Sequence, residues 1–289
     1  MMHPRAMLAT VLVAAFIAGC SSTTPVAPPA HAKINVGLQL YSLRAQFPKD
    51  VPGTMALVEK MGITDVEVAN YYGLTAEQFR GQLDQHHLHA SGVHFQWDRF
   101  STDVDGIIKD CKTLGCHFVT LPWVPHKDPF TIEDARNASN KFNEWGEKCA
   151  AAGIRFTYHP HGYEFRPYQD GTLFDEMVKL TNPKFVNYEL DIFWAYDGGA
   201  DPVALMQKYP KRFVLMHLKD MRKDIKTPNY TGHEDVEADV ALGAGQLNIP
   251  AILEQARKIG IKHYYIEDES KESEEQIPKS IAYVRSVGF

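Results

Sequence analysis

Apolar positions along this chain keep switching between two periods. From Ile34 onward, short β-prone runs alternate with stretches whose apolar residues recur at helical spacing. The first unit pairs a strand, Val36 to Ser42, with a helix around Val51 to Met61 that Gly62 stops. Asp65 to Ala69 predicts a second strand, followed by a helix over Thr75 to His86, where Thr75 and Gln78 have the spacing of a capping box. His89 to Phe95 and Cys116 to Trp123 read as the third and fourth strands, separated by a helix over Val104 to Leu114 that ends at Gly115. The longest helical stretch is Thr131 to Ala152, with Thr131 and Asp134 at its start and Gly153 at its end. Strand five is Ile154 to His159, with a helix over Leu173 to Leu180; strand six is Phe185 to Trp194, with Asp201-Pro202 opening the next helix. Arg212 to Lys219 is strand seven. A long loop, Met221 to Gly245, precedes a helix over Ile249 to Ile259, and His263 to Glu267 is strand eight before a closing helix near Glu275 to Val287. Eight strand-then-helix units predict a single closed (β/α)8 TIM barrel, and no Gly-rich phosphate loop follows the first strand to favour a dinucleotide fold.

The first 32 residues stand outside this rhythm. Arg5 precedes an apolar run, Leu8 to Gly19, that is too short to span a bilayer and is flanked as a signal peptide is. The run ends in Ile17-Ala18-Gly19-Cys20, which resembles a bacterial lipobox. That resemblance implies a lipoprotein signal peptide over 1–19, acylation at Cys20, a Ser/Thr/Pro/Ala tether over 20–32 and a barrel domain over 33–289. The expected location is exported and membrane-anchored, facing the periplasm.

A formal net charge of −6 supplies no basic stripe for a phosphate backbone, so nucleic acid is not expected as a partner. Beyond Cys20 only Cys111, Cys116 and Cys149 remain, and their number and spacing predict neither a disulfide framework nor a zinc site. The oligomeric state is left open by the sequence.

Chemistry-bearing residues gather where the predicted strands stop. Tyr158-His159-Pro160-His161, Glu189-Leu190-Asp191, His217-Leu218-Lys219-Asp220 and Ile266-Glu267-Asp268-Glu269 each close an apolar run. In a β/α barrel such positions meet at the C-terminal face, where active sites sit. Asp191, His217 and Glu267 end three different strands, and two carboxylates with an imidazole suit one divalent ion of the Mn, Co, Ni, Fe, Zn or Mg kind better than calcium. The long loop belongs to the same face, as either an active-site cover or a solvated excursion.

Several motifs together resemble the sugar phosphate isomerase/epimerase family of xylose-isomerase-like barrels. They are Gly37-Leu38-Gln39-Leu40-Tyr41-Ser42, Val66-Glu67-Val68, Ser91-Gly92-Val93-His94, Tyr158-His159-Pro160-His161 with Glu164-Phe165, Leu190-Asp191-Ile192-Phe193-Trp194, Gly199-Ala200-Asp201-Pro202, Met216-His217-Leu218-Lys219-Asp220, Leu242-Gly243-Ala244 with Gly245, and Ile266-Glu267-Asp268. The resemblance implies a metal held by a Glu on strand five, an Asp on strand six, a His on strand seven and a Glu on strand eight. The last three map onto Asp191, His217 and Glu267. His159 stands where the epimerases keep glutamate, which makes it the expected fourth ligand, with Glu164 or water as the alternative.

The resemblance further implies proton abstraction next to a carbonyl on a small carbohydrate, giving isomerisation, epimerisation or β-elimination. An exported enzyme without an Arg/Lys cluster at its strand ends is expected to take an unphosphorylated sugar, keto-sugar or keto-glycoside. His159, Glu267, Lys219 and His161 are the catalytic candidates; Tyr41, Glu67, His94, Glu164, Trp194 and Glu269 are the substrate-binding candidates. With histidine at the strand-five position, two-carboxylate epimerisation is less well supported than isomerisation or elimination. The competing reading is a non-catalytic sugar-binding lipoprotein that retains the barrel. Hydrolysis by Asp191 and Glu267 flanking a glycosidic bond is a weaker alternative.

Overall fold

The computed structural model describes residues 36–289, together with Met1 and Met2. The expected signal peptide from residue 3 onward, Cys20 and the tether lie outside the described residues. Eight parallel strands, numbered in chain order, close into a barrel: β1 Val36–Gln39, β2 Asp65–Val68, β3 His89–His94, β4 Phe118–Leu121, β5 Arg155–Tyr158, β6 Val186–Asp191, β7 Phe213–Leu218 and β8 His263–Ile266. Each strand pairs with its sequence neighbours, and β1 closes the ring on β8, with Val36 opposite Tyr264.

These strands form for the reason their sequences suggest. Buried on both faces, they carry near-continuous apolar runs, and the amphipathic helices shield them from outside. The helices are α1 Val51–Lys60, α2 Ala76–Gln85, α3 Trp97–Thr102, α4 Val104–Leu114, α5 Ile132–Ala151, α6 Leu173–Leu180, α7 Ile192–Asp197, α8 Pro202–Lys208, α9 Ile249–Ile259 and α10 Ser273–Ser286. Thr75 with Gln78 and Thr131 with Asp134 form reciprocal capping boxes at the starts of α2 and α5. Cys111, Cys116 and Cys149 are free buried thiols. Among the described residues, no helix is long and apolar enough to cross a membrane.

Two departures from the sequence reading bear on the site. Strand six stops at Asp191 rather than at Trp194, because the Asp191 Oδ1 atom accepts hydrogen bonds from the backbone N–H groups of Phe193 (2.8 Å) and Trp194 (3.1 Å) and caps α7. Short helix α3, with its indole Trp97 packed on Trp145, was not legible in the apolar pattern.

The long loop after β7 is anchored at its root. Buried Asp220 accepts from the N–H groups of Met221, Gly243, Gly245 and Leu247 at 2.9 to 3.1 Å, and Asp220–Met221 pairs with Asp239–Val240 in a small antiparallel ribbon. At its far side, Asn229 N–H donates to the Asp197 carbonyl at 2.7 Å. The Asp197 side chain is fully buried, and neither carboxylate oxygen has a hydrogen-bond partner.

Burial, followed by the charge of Glu234, pushes the Asp197 pKa from 3.8 up to about 7. A carboxyl raised in the fold favours the protonated state there, so its contribution is complete below about pH 4 and is lost as the pH climbs through about 7. Asp197→Asn should therefore gain stability over the wild type on going from about pH 5 to about pH 8, by on the order of 2 kcal/mol. Denaturant midpoints at the two pH values provide the check, and a constant difference between the proteins would contradict the assignment.

Candidate functional site

A cavity of about 480 Å³ opens over the C-terminal ends of the strands. His94, His159, His161, Trp194, Glu267 and Glu269 line it, together with Tyr41, Tyr72 and Trp123 at the rim. The long loop contributes Gly232, His233, Glu234 and Val236 to the wall, so it does cover the site face.

At the base of the cavity, strand register sets the positions. Asp191 ends β6 directly beside His217 of β7, and His217 is in turn beside Tyr265 of β8, one residue short of the strand end that precedes Glu267. Asp191 is 1 % exposed and commits Oδ1 to its capping role, which leaves Oδ2 buried without a hydrogen-bond partner. Two imidazole nitrogens face that oxygen: His159 Nε2 at 3.9 Å and His217 Nδ1 at 3.8 Å. An orphaned carboxyl oxygen facing two ring nitrogens is a set of donors that could hold a divalent transition ion. His159, Asp191 and His217 form one of two side-chain groups compact enough to hold a metal among the described residues.

The second group, Glu67, His94, Glu189 and His217, shares His217 with the first, and its two carboxylates, fully buried and off the cavity wall, explain why the ring nitrogens point as they do. His217 Nε2 sits 2.7 Å from Glu67 Oε2, and His159 Nδ1 sits 3.3 Å from Glu189 Oε2. With those N–H groups donated to buried carboxylates, the opposite nitrogen of each ring is turned toward Asp191 Oδ2. Such carboxylate–histidine pairs orient metal ligands and raise their basicity. His217 Nδ1 also lies 3.0 Å from Glu267 Oε2, to which it donates when protonated. Loss of that proton frees the lone pair for a cation.

Backbone irregularities deliver the two deep carboxylates. The β2–β3 pairing slips at Glu67, and the β6–β7 pairing slips at Glu189. β-Bulges of this kind re-aim side chains beside active sites. Glycine makes room for one of them, since a Cβ on Gly92 would lie 2.8 Å from Glu67 Oε1. His94 Nε2 bridges the carboxylates, 3.0 Å from Glu67 and 3.1 Å from Glu189, and Gln39 Nε2 donates to Glu67 at 2.6 Å. Burial opposes each charge in this layer. The mutual attraction prevails, holding Glu67 and Glu189 down at about 2 and His94 up at about 9.

The other sequence candidates divide between cavity and support. Glu267 lines the cavity at 8 % exposure, and Lys219 Nζ lies 3.5 Å from it, 2.6 Å from Glu269 and 3.7 Å from Asp239. Burial opposes the Glu267 charge, but Lys219 and then His217 hold its carboxyl well below the usual range. Lys219 is buried among those carboxylates and does not line the cavity, which makes it a holder of Glu267 rather than a contact for substrate. His161 faces the cavity between the rings of Trp123 and Trp194, and its Nδ1 lies 3.3 Å from the His159 carbonyl. A proton on that nitrogen leaves Nε2 as an acceptor.

Two expected substrate contacts are displaced from the cavity. Glu67 lies beneath the ligand layer, as described. Glu164 is fully buried, where it accepts from Tyr158 Oη and from His161 N–H at 3.0 Å, and so it supports the strand-five turn instead of meeting substrate or metal. Tyr41, His94, Trp194 and Glu269 do line the cavity. Glu189 was not assigned a role from sequence; its signal was the two-residue alternation that puts it on the same strand face as Asp191. Gln39, and the cavity contacts from His233 and Glu234 in the loop, carry no comparable pattern.

Comparison with known proteins agrees with this fold. A profile of the xylose isomerase-like TIM barrel family matches residues 55–287. A sugar phosphate isomerase/epimerase from Parabacteroides distasonis is similar at 29 % identity and a TM-score of 0.71, covering 91 % of this chain and 97 % of that one. The IOLI protein, solved with a bound zinc atom, shares the fold at 17 % identity and a TM-score of 0.69, covering 88 % of this chain and 98 % of its own. Inosose dehydratase from Mesomycoplasma hyopneumoniae strain J is 26 % identical over 257 residues, 78 % of this chain and 85 % of the relative. The corresponding dehydratase of Geobacillus kaustophilus is 21 % identical over 238 residues, 70 % of this chain and 74 % of the relative. With more than two thirds of its length matched by the profile and its strands closed in the same architecture, the chain belongs to the xylose isomerase-like TIM barrel family.

Proposed function

We propose that this chain is a divalent-metal-dependent enzyme that removes a proton next to the carbonyl of an unphosphorylated keto-sugar or keto-glycoside and eliminates the β-oxygen substituent. The observation that carries the reading is the buried, unpartnered Asp191 Oδ2 facing one nitrogen each of His159 and His217. Those three residues would hold the ion. When bound, the cation supplies Lewis acidity that polarises a substrate carbonyl and makes the adjacent C–H bond more acidic.

Glu267 is then the proton-transfer group. It lines the cavity as a carboxylate, lies outside the compact ligand trio, and is held by Lys219 and by His217. A single base leads to one of two outcomes more readily than to two-base epimerisation. It takes the α proton and passes it to the departing β-oxygen, releasing water or an alcohol and leaving an α,β-unsaturated ketone, or it returns the proton to a neighbouring carbon as an isomerase does. The dehydratase relatives support the first.

Charge and shape support a neutral substrate. Three carboxylates, Glu234, Glu267 and Glu269, line the cavity. Arg44, the lining arginine, is engaged by the carbonyls of Glu269 (2.7 Å) and Tyr41 (3.2 Å) and rests over the Tyr41 ring. Tyr41, Tyr72, Trp123 and Trp194 offer aromatic faces to the apolar side of a sugar ring. Exported placement on a lipid anchor at Cys20 is part of the same proposal, resting on the N-terminal sequence.

Two measurements test the reading. Metal-loaded protein incubated with a panel of keto-sugars, an inosose among them, in deuterated water should yield an unsaturated ketone or α-deuterated sugar; Glu267→Gln should lower that rate by roughly 100-fold or more while retaining the metal. A sugar bound with unchanged hydrogens across the panel would instead indicate a binding protein. Separately, Glu67→Gln should weaken metal affinity by roughly 10- to 100-fold, because it removes the charged partner of His217 Nε2. Titration with a chelator-buffered metal reads this directly, and unchanged affinity would remove Glu67 from the ligand support.

A further inference from the structure

The opposite end of the barrel carries a second concavity with a different charge. About 540 Å³ in volume, it lies at the N-terminal ends of β4, β5, β7 and β8, where Arg155, Lys211, Lys262, His117 and His263 line it and no carboxylate does. None of the three permanent cations has a salt bridge or side-chain hydrogen bond among the described residues, and Arg155 only overlies the Phe118 ring, 5.8 Å from its centroid. The acid bonded to lining His263 is Asp65 at 3.3 Å, and His89 shares that acid at 3.6 Å.

Part of the basic character of this end has an ordinary cause. Helices in a parallel barrel run back toward it, and Lys60, Lys112, Lys148, Lys179, Lys208 and Arg285 occupy last turns, complementing the helix macrodipole. Arg155, Lys211 and Lys262 have no such role. They sit at or just before the starts of strands, around one depression, in a chain whose net charge is −6.

We propose that this N-terminal rim is a docking surface for anionic lipid headgroups. Two observations select a membrane as the source of the anion. Three unpaired, exposed cations and two histidines complement a negatively charged surface. The chain also enters the barrel at this rim, since Val36 opens β1 here, so the sequence expected to carry the anchor at Cys20 leads into the same end. Docking here turns the cavity over the strand C-termini toward solution, away from the bilayer.

The test uses the full chain and sedimentable vesicles, either of phosphatidylcholine alone or with part of it replaced by phosphatidylglycerol. An acyl anchor or apolar segment binds both compositions, and Arg5 is common to wild type and variants, so the change in the ratio between them reads the rim. The wild type should prefer the anionic vesicles, and Arg155→Gln/Lys211→Gln/Lys262→Gln should reduce that preference by on the order of 100-fold, leaving the thermal midpoint unchanged. Should the triple variant fold poorly, Lys211→Glu with Lys262→Glu at exposed positions should abolish the preference by itself. Equal binding to both vesicles, or a preference retained in either variant, would overturn the proposal. Loss of the preference on adding inorganic phosphate at constant ionic strength would also overturn it, reassigning the pocket to a soluble phosphate ligand.

Discussion

Two buried carboxylate–imidazole pairs set the conditions for the rest of this site. Glu67 takes one nitrogen of His217, and Glu189 takes one nitrogen of His159. An imidazole has only two nitrogens, so fixing the partner of one decides what the other can do. Both rings are thereby turned toward the free oxygen of Asp191. That oxygen is free because its twin is occupied in starting a helix. The side chains that would hold a cation thus depend on a helix cap at Asp191 and on two carboxylates that follow register slips.

Burying so many charges is expensive unless each is matched. Here the deep layer alternates sign, with His94 between Glu67 and Glu189, and every one of these groups is held in its charged state by its neighbours. Lys219 does the same work for Glu267, and its ammonium also meets Glu269 and Asp239. Substituting histidine for the family's strand-five glutamate removes one negative charge from the trio. In the proposed reaction it leaves proton transfer to Glu267, which would couple an apparently small sequence departure to a different balance of reactions.

Much of the architecture was legible in the sequence. The strand-then-helix alternation, the Thr75 and Thr131 caps and the Gly115 stop all appear where the local chemistry places them. The convergence of Asp191, His217 and Glu267 was equally legible, because each ends an apolar run. Glu67 and Glu164 were identified as functional residues but assigned to the wrong layer. Strand alternation gives the face on which a residue lies, yet a bulge or a tight turn decides its depth. Glu67 follows a register slip, and Glu164 sits in a short helical turn after β5, folded back onto Tyr158. The capping role of Asp191 was likewise invisible as a strand end, because the apolar run continues unbroken into α7.

His159, Asp191 and His217 would together hold one divalent cation. Diffraction from crystals soaked in manganese or zinc, with anomalous differences recorded above the absorption edge of that metal, measures this directly. The account predicts a single strong peak within bonding distance of all three side chains, with Glu67 and Glu189 still hydrogen-bonded to the rings. A peak seated instead among Glu67, His94 and Glu189, or no peak at the Asp191 oxygen, would contradict it.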